Sequence, residues 1–315
     1  MTARTRHLFV MDSLDKLNLA WDTSIKLAYL LTKKGPVDVY FCEMHDLSLS
    51  SHPTAVSVNA AKMLFGAAPA SLTLGAKEVL DLSEFQLVQM RKEPPYDLSY
   101  VECLWILNIA KAQTTVWYDP LALLQTNEKL VITEFPEYAA PCMVGSDPRR
   151  LHQWAVKHCA GNIVVKPLNL FGGRGVVHLQ SLESLEQDLY QETGGGKHLR
   201  LIQKFEPKIA DGEVRAFAVS GKPISWCLKI PAKGDFLANT RAGSTLADYT
   251  PTAKEVECVS RVASTLMTRG IHVCGFDLIQ GAISEVNITC PAILSPVRES
   301  LEGLDQVVEL MMGHF

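Results

Sequence analysis

Three oxygen-bearing side chains near the C-terminus, Asp277, Glu285 and Asn287, have the types and the spacing for chemistry. The alternation of residues 276–279 and 283–288 predicts two short strands joined by a Gln280-Gly281 turn. Asp277 then stands on the first strand, while Glu285 and Asn287, two apart, share one face of the second. Two carboxylates and an amide oxygen converging across a hairpin make a hard, all-oxygen site. That suits Mg²⁺, with Mn²⁺ as the alternative, because such an ion takes few protein ligands and completes its shell with phosphate oxygens and water. The same pattern also describes a polar-out hairpin whose acids are merely solvated, so the upstream residues must decide.

Upstream, the strand predicted over 163–167 carries Lys166 inside an apolar run, Ile-Val-Val-Lys-Pro. An ammonium among β-branched residues needs a partner, and a bound phosphate is a good one. The next stretch, Asn169 to Gly175, reads Asn-Leu-Phe-Gly-Gly-Arg-Gly and leads into a strand over 176–179. Strand, glycine loop, strand is neither the dinucleotide fingerprint nor the Walker loop, both of which run into a helix. A glycine lid over Gly172 and Gly173 is the better reading, its backbone N–H groups able to close over a triphosphate with Arg174 adding charge.

The elements that must position these groups follow in order. An apolar run over 7–11, a helix over 22–33 opened by Asp22-Thr23-Ser24 and a strand over 37–42 make a β-α-β opening, which signals a parallel sheet. A strand over 85–90 runs into Arg91-Lys92-Glu93-Pro94-Pro95, and the prolines hold Arg91 and Lys92 at its carboxyl end, where ligands of open α/β sheets sit. A solvated basic loop is the alternative there. A helix over 100–111 and a strand over 114–118 precede a boundary near residue 122. Asn127-Glu128-Lys129 opens the second unit, which continues through a helix over 148–159. Strands follow over 201–205, 214–220 and 223–230, the last two joined over Gly221-Lys222, with Arg215 on the polar phase of its strand. A long polar loop over 231–250, an amphipathic helix over 252–269, the carboxylate hairpin and a helix near 301–312 complete the chain.

Composition narrows the function classes. With 315 residues and 47% hydrophobic content, the chain can bury the cores of two or three domains. The formal net charge is −4 and basic residues are unclustered, so neither nucleic acid nor a membrane surface is an expected partner. No apolar run approaches the roughly 18 to 20 residues of a membrane span, and the N-terminus lacks a secretory apolar segment, so a cytoplasmic location is expected. The eight cysteines form no Cys-x-x-Cys pair and mostly lie in apolar segments, as buried thiols do.

Taken together, these motifs resemble the ATP-grasp superfamily and, within it, the bacterial glutathione synthetases. The resemblance runs nearly end to end. It rests on Asp22-Thr23-Ser24, Glu43-Met44-x-Asp46-Leu47, Met90-Arg91-Lys92-x-Pro94-Pro95-x-Asp97, Asn127-Glu128-Lys129-Leu130, Lys166-Pro167-Leu168 with Gly172-Gly173, Asp211-Gly212-x-x-Arg215, and Gly275-x-Asp277 with Glu285-x-Asn287. It implies an α/β protein in which an N-terminal parallel α/β domain, residues 1–122, precedes an ATP-grasp domain, residues 123–315. The latter would divide into a lid subdomain at about 124–200 and a metal-binding catalytic subdomain at about 201–315.

It also implies a ligase in which ATP phosphorylates a carboxylate and an amine attacks the acyl phosphate. Lys129 and Lys166 would hold the phosphates, with Gly172, Gly173 and Arg174 as the lid and Gln203, Lys204 and Phe205 meeting the adenine. Arg215 would neutralise the transferring phosphoryl group beside Lys229, and Asp277, Glu285 and Asn287 would hold the metal. Asp22, Ser24, Arg91, Lys92, Asn239, Arg241 and Cys290 are the expected substrate contacts. The default substrates are γ-glutamylcysteine and glycine; the alternatives are another amino-acid or peptide pair, or an ATP-binding protein without turnover. Relatives in bacteria further imply a homo-oligomer.

Departures from the family pattern concentrate in the acceptor region. Leu237 stands at one expected arginine, leaving only Arg241 nearby, and Lys229 stands where an arginine is usual before Ile-Pro. Lysine cannot reproduce a bidentate carboxylate clamp. The Ser-Pro-Thr expected after the metal-binding Asn is Cys290-Pro291-Ala292, which removes two hydroxyl donors, and Tyr118-Asp119-Pro120 replaces an Asn-Lys-Pro or Asn-Arg-Pro stretch.

Overall fold

In the computed structural model, residues 4–238, 243–297 and 300–313 are described; Asn239 and Arg241 lie outside them. The N-terminal unit contains β1 (Thr5–Met11), α1 (Thr23–Lys34), β2 (Val37–Cys42), β3 (Leu47–Ser51), β4 (Thr54–Leu64), β5 (Thr73–Asp81), β6 (Leu87–Arg91), α2 (Leu98–Ala110), β7 (Thr115–Val116) and α3 (Pro120–Gln125). Strands β2, β1, β6 and β7 are parallel, as the β-α-β opening predicts. The seven-stranded sheet is nevertheless mixed, because β3, β4 and β5 extend it antiparallel. Asp22 caps α1 by accepting from the Ile25 N–H, and this helix lays Ile25, Ala28 and Leu31 on the sheet.

The second half contains two further sheets. The first joins β8 (Cys142–Gly145), β9 (Ile163–Pro167), β10 (Val177–Leu179) and β11 (Arg200–Lys204), in the order β10-β9-β11-β8 and antiparallel throughout. Helices α4 (Pro148–Cys159) and α5 (Leu185–Glu192) cover it and give it a small core of its own, including Leu151, Ala155, Ile163, Val165, Leu189 and Ile202. Helix α4 follows the start and stop rules closely. Asp147 accepts from the N–H groups of Arg149 and Arg150, Pro148 sits in the first turn, and Ala160 and Gly161 end the helix at positive φ.

The second sheet, of β12 (Glu213–Val219), β13 (Lys222–Ile230), β14 (Thr245–Asp248), β15 (Val273–Ile279) and β16 (Ala282–Asn287), runs in the order β14-β13-β12-β15-β16. Its apolar face packs on α6 (Ala253–Thr268), whose Thr252–Glu255 capping box fixes the start, and α7 (Leu304–Met312) returns to pack against α1. Its core is continuous with that of the N-terminal sheet.

Both hairpins turn through two residues at positive φ, Gln280-Gly281 as predicted and Ser220-Gly221 one residue earlier than predicted. Positive φ at both central residues is the type I′ turn, one of the two that match strand twist, and it places Gly221 second in the pair rather than first. Strand β14 also interrupts the loop predicted over 231–250, pairing with β13 through Lys229 and Leu246.

Candidate active site

The polar face of the five-stranded sheet carries the charged groups as cross-strand neighbours. Glu213 lies opposite Lys229 on β12 and β13, Arg215 opposite Asp277 on β12 and β15, and Asp277 opposite Glu285 on β15 and β16. Period-two alternation is what brings them to one face. Lys229 Nζ donates to Asp277 Oδ1 at 2.6 Å and pairs with Glu213 Oε2 at 2.5 Å. Arg215 Nη1 donates to Asp277 Oδ2 at 2.9 Å, and Asn287 Nδ2 donates to the same oxygen at 3.1 Å.

Burial opposes ionisation of Asp277, but Arg215 and Lys229 outweigh it and hold the carboxyl well below the usual range. At Glu213 burial wins over the shared Lys229 and pushes the carboxyl up. Lys229 itself is pushed up, because the two carboxylates overcome its desolvation.

The four-stranded sheet supplies the opposite wall. Lys166 Nζ donates to Gln203 Oε1 at 2.9 Å and to the Ser284 carbonyl at 3.1 Å, neutral acceptors that leave its charge unmatched by contact. Burial holds this ammonium below the ordinary lysine range. Lys129 Nζ donates to the Leu170 carbonyl at 2.9 Å and to Glu285 Oε1 at 3.3 Å. An Asn127 turn sets its direction, with Oδ1 accepting from the Lys129 N–H while Nδ2 donates to the Leu168 carbonyl. Gly172, Gly173 and Gly175 all adopt positive φ, so this loop needs glycine, and Arg174 lies over the Phe171 ring. At the far end Phe205 stacks on His178 with ring centroids 3.7 Å apart, and Phe236 stands edge-on to Phe205.

All these walls enclose one cavity of about 700 Å³, lined by Lys129, Lys166, Gly172, Gly173, Arg174, Gln203, Lys204, Phe205, Arg215, Lys229, Asp277, Glu285 and Asn287. Asp22 and Cys290 line it from the N-terminal side. Burial pushes the Cys290 thiol up to about 12, so it stays protonated. The structure does not bring Ser24, Arg91 or Lys92 to the cavity wall. Arg91 is buried behind it, donating through Nε to Ser24 Oγ, through Nη1 to the Tyr118 hydroxyl and through Nη2 to the Pro291 carbonyl. Lys92 turns to Asp12 and to the Glu93 carbonyl. Both belong to the frame, because strand β6 ends under α1 and the 290–293 segment rather than beside open space.

Three contributors carry no assigned role in the sequence reading. Glu213 precedes Arg215 by two on the same strand, so the alternation that marked Arg215 carries it too. Ser284 acts through its backbone carbonyl, which no side-chain motif reveals. Glu128, beside Lys129, is buried and accepts at Oε1 from the Ile288 N–H, the Thr289 N–H and the Thr289 hydroxyl at 2.8 to 2.9 Å, pinning the segment that follows Asn287.

The donor set fits a divalent cation. Among the described residues no three His, Cys, Asp or Glu side chains cluster so as to hold a metal ion by themselves. Asp277, paired with Arg215 and Lys229, Glu285, paired with Lys129, and the Asn287 amide line the cavity as the kind of oxygen donors that an ion sharing its shell with phosphate requires. Among those residues, too, no helix is long and apolar enough to cross a membrane.

The prokaryotic glutathione synthetase ATP-grasp domain family matches residues 128–302, and the prokaryotic glutathione synthetase N-terminal domain family matches residues 5–123. A glutathione synthetase from Nitrosomonas europaea is 29% identical over 294 residues, covering 90% of this chain and 89% of its own. One from Bordetella parapertussis is 30% identical over 309 residues, 93% of each chain. Among solved structures, D-cycloserine synthetase DcsG superposes with a TM-score of 0.67 at 13% identity, covering 97% of this chain and 99% of its own. D-alanyl-alanine synthetase A from Vibrio cholerae gives 0.66 at 14% identity, covering 100% and 99%. The two structural likenesses carry the fold alone, whereas the family matches span nearly the whole sequence: the chain belongs to the prokaryotic glutathione synthetase family, an N-terminal α/β domain followed by an ATP-grasp domain.

Proposed function

We propose that the cavity joins a carboxylate to an amine at the expense of ATP, through an acyl phosphate, with γ-glutamylcysteine and glycine as the substrate pair. The observation that carries this reading is the convergence of Lys129 and Lys166 from the lid side on Asp277, Glu285 and Asn287 from the sheet side, around one cavity. Phosphoryl transfer asks a protein for positioning and charge neutralisation more than for covalent chemistry. Lys129 and Lys166 suit the triphosphate and the glycine loop suits its cover, with Gln203 to Phe205 facing the base. Asp277, Glu285 and Asn287 would hold Mg²⁺, which when bound supplies charge for the phosphate oxygens.

In the first step a substrate carboxylate oxygen attacks the γ-phosphorus and ADP leaves, with Arg215 beside the transferring group. In the second the amine attacks the acyl carbon, phosphate leaves and the amine loses a proton. Excluding water matters because the acyl phosphate would otherwise hydrolyse, which gives the lid its purpose. Purified chain given γ-glutamylcysteine, glycine, ATP and Mg²⁺ should release ADP and form the tripeptide. No ADP release above the level without glycine would sink this substrate pair. A different pair is a second reading, favoured by Leu237 and Ala292 at the acceptor side of the cavity.

A further inference from the structure

One aromatic ring reaches the cavity from outside the sheets. Phe236 stands in the segment between β13 and β14, yet its ring centroid lies 5.7 Å from that of His178 on β10 and 6.3 Å from that of Phe205, just past β11. His178 and Phe205 are stacked at 20°, and Phe236 crosses them at 54° and 74°. Phe205 and Phe236 both line the cavity, and Phe236 is only half-buried. Its position is fixed from both sides: Asp235 Oδ1 accepts from the Leu237 N–H at 2.9 Å, and a Cβ added to Gly173 would meet Leu237 Cδ1 at 3.2 Å. Strand register sets what lies beside the rings. Val164 on β9 pairs with His178 on one side and with Gln203 on the other, and Lys166 follows two residues on, roughly 7 Å along the strand. That is the order of a nucleotide, with the base beside Val164 and the phosphates beside Lys166. Gln203, Lys204 and Glu206 add polar groups to this wall. Oε1 of Gln203 already accepts from Lys166, and Oε1 of Glu206 from the Lys208 N–H. The flat apolar area comes from Phe205, Phe236 and Val164.

We infer that Phe236 is a specificity-determining residue for the nucleotide: its ring packs against the base and favours the two fused rings of a purine over the single ring of a pyrimidine. This rests on the ligase reading above and concerns how that ligase selects its ATP. Losing one aromatic ring from a base weakens binding by about 5- to 150-fold. The effect falls on the base alone, because the phosphates meet Lys129 and Lys166 at the other end of the cavity. A purine also offers more area to the ring than a pyrimidine does, and tripolyphosphate offers none.

The test is isothermal titration calorimetry of the full chain with Mg²⁺ and, in turn, ATP, CTP and inorganic tripolyphosphate. The parent should bind ATP more tightly than CTP. Phe236→Ala should weaken ATP by at least about fivefold, narrow the ATP-to-CTP ratio and leave tripolyphosphate affinity unchanged. Phe236→Leu keeps apolar bulk without a ring and should lose ATP affinity as alanine does, whereas Phe236→Tyr should retain it; these two decide the matter if the alanine variant folds poorly. Unchanged ATP affinity in Phe236→Ala overturns the inference. So does an equal loss for tripolyphosphate, which would mark a merely structural role, or full ATP affinity in Phe236→Leu, which would mark a space-filling one. Each of those results leaves the ligase reading intact. A parent chain that binds neither ATP nor tripolyphosphate refutes the ligase reading and this inference with it.

Discussion

Removing the Glu128 carboxylate should loosen the segment that carries the cavity's floor. Its Oε1 accepts three hydrogen bonds, two of them from the backbone N–H groups of Ile288 and Thr289, immediately after the cavity-lining Asn287. In Glu128→Ala those two N–H groups stay buried with no acceptor, and each unsatisfied donor costs about 1–3 kcal/mol. A combined loss of about 3 kcal/mol is expected, with water entering the space left behind offsetting part of the upper range. For a chain of this size that lowers the melting temperature by about 4 to 5 °C. Glu128→Gln retains an acceptor of the same shape and should lose only about 1–2 kcal/mol, since neutral acceptors bind roughly half as strongly as charged ones. Thermal melts of the three proteins read the stability, and ADP release reads the consequence for Asn287 and Cys290. A Glu128→Ala protein melting within a degree of the parent would refute the pinning role.

Other consequences are narrower. Glu285→Gln removes the carboxylate proposed to hold the metal and the partner of Lys129, so turnover should fall by orders of magnitude while the melting temperature changes little. Lys229→Met strips Glu213 of its cation and leaves Asp277 with Arg215 alone, and should destabilise by about 3 kcal/mol, read by denaturant titration. Burial lowers Lys166 below the ordinary lysine range, so nucleotide affinity should weaken with rising pH before an ordinary lysine would titrate. Across the same window this lysine binds fewer protons folded than unfolded, so it makes folding more favourable as pH rises. Affinity loss accompanied by unfolding would contradict that assignment. Lys166→Arg should flatten the affinity profile.

Much of the site was legible because its groups sit on strands. Period two put Glu285 and Asn287 on one face and the hairpin signal set Asp277 on the strand beside them, while Lys166 drew attention as a cation in an apolar run. The N-terminal opening was equally readable, because the α1 cap and the β1 and β2 runs follow local rules. Strand β5 was not, since nearly all of its side chains are exposed and leave no alternation to read. Strand β8 is half-buried at every position, which erases the pattern in another way. At Arg91 the sequence located the strand's carboxyl edge but not the side of it, which depends on how the 290–293 segment packs against α1. Such long-range closure leaves no local trace in the chain.

The fate of one oxygen atom tests the acyl phosphate route most directly. With the donor carboxylate labelled with ¹⁸O, each amide formed should release one ADP and one phosphate carrying a single ¹⁸O, because the carboxylate oxygen that attacked phosphorus departs with it. Unlabelled phosphate, or AMP in place of ADP, would contradict the acyl phosphate route.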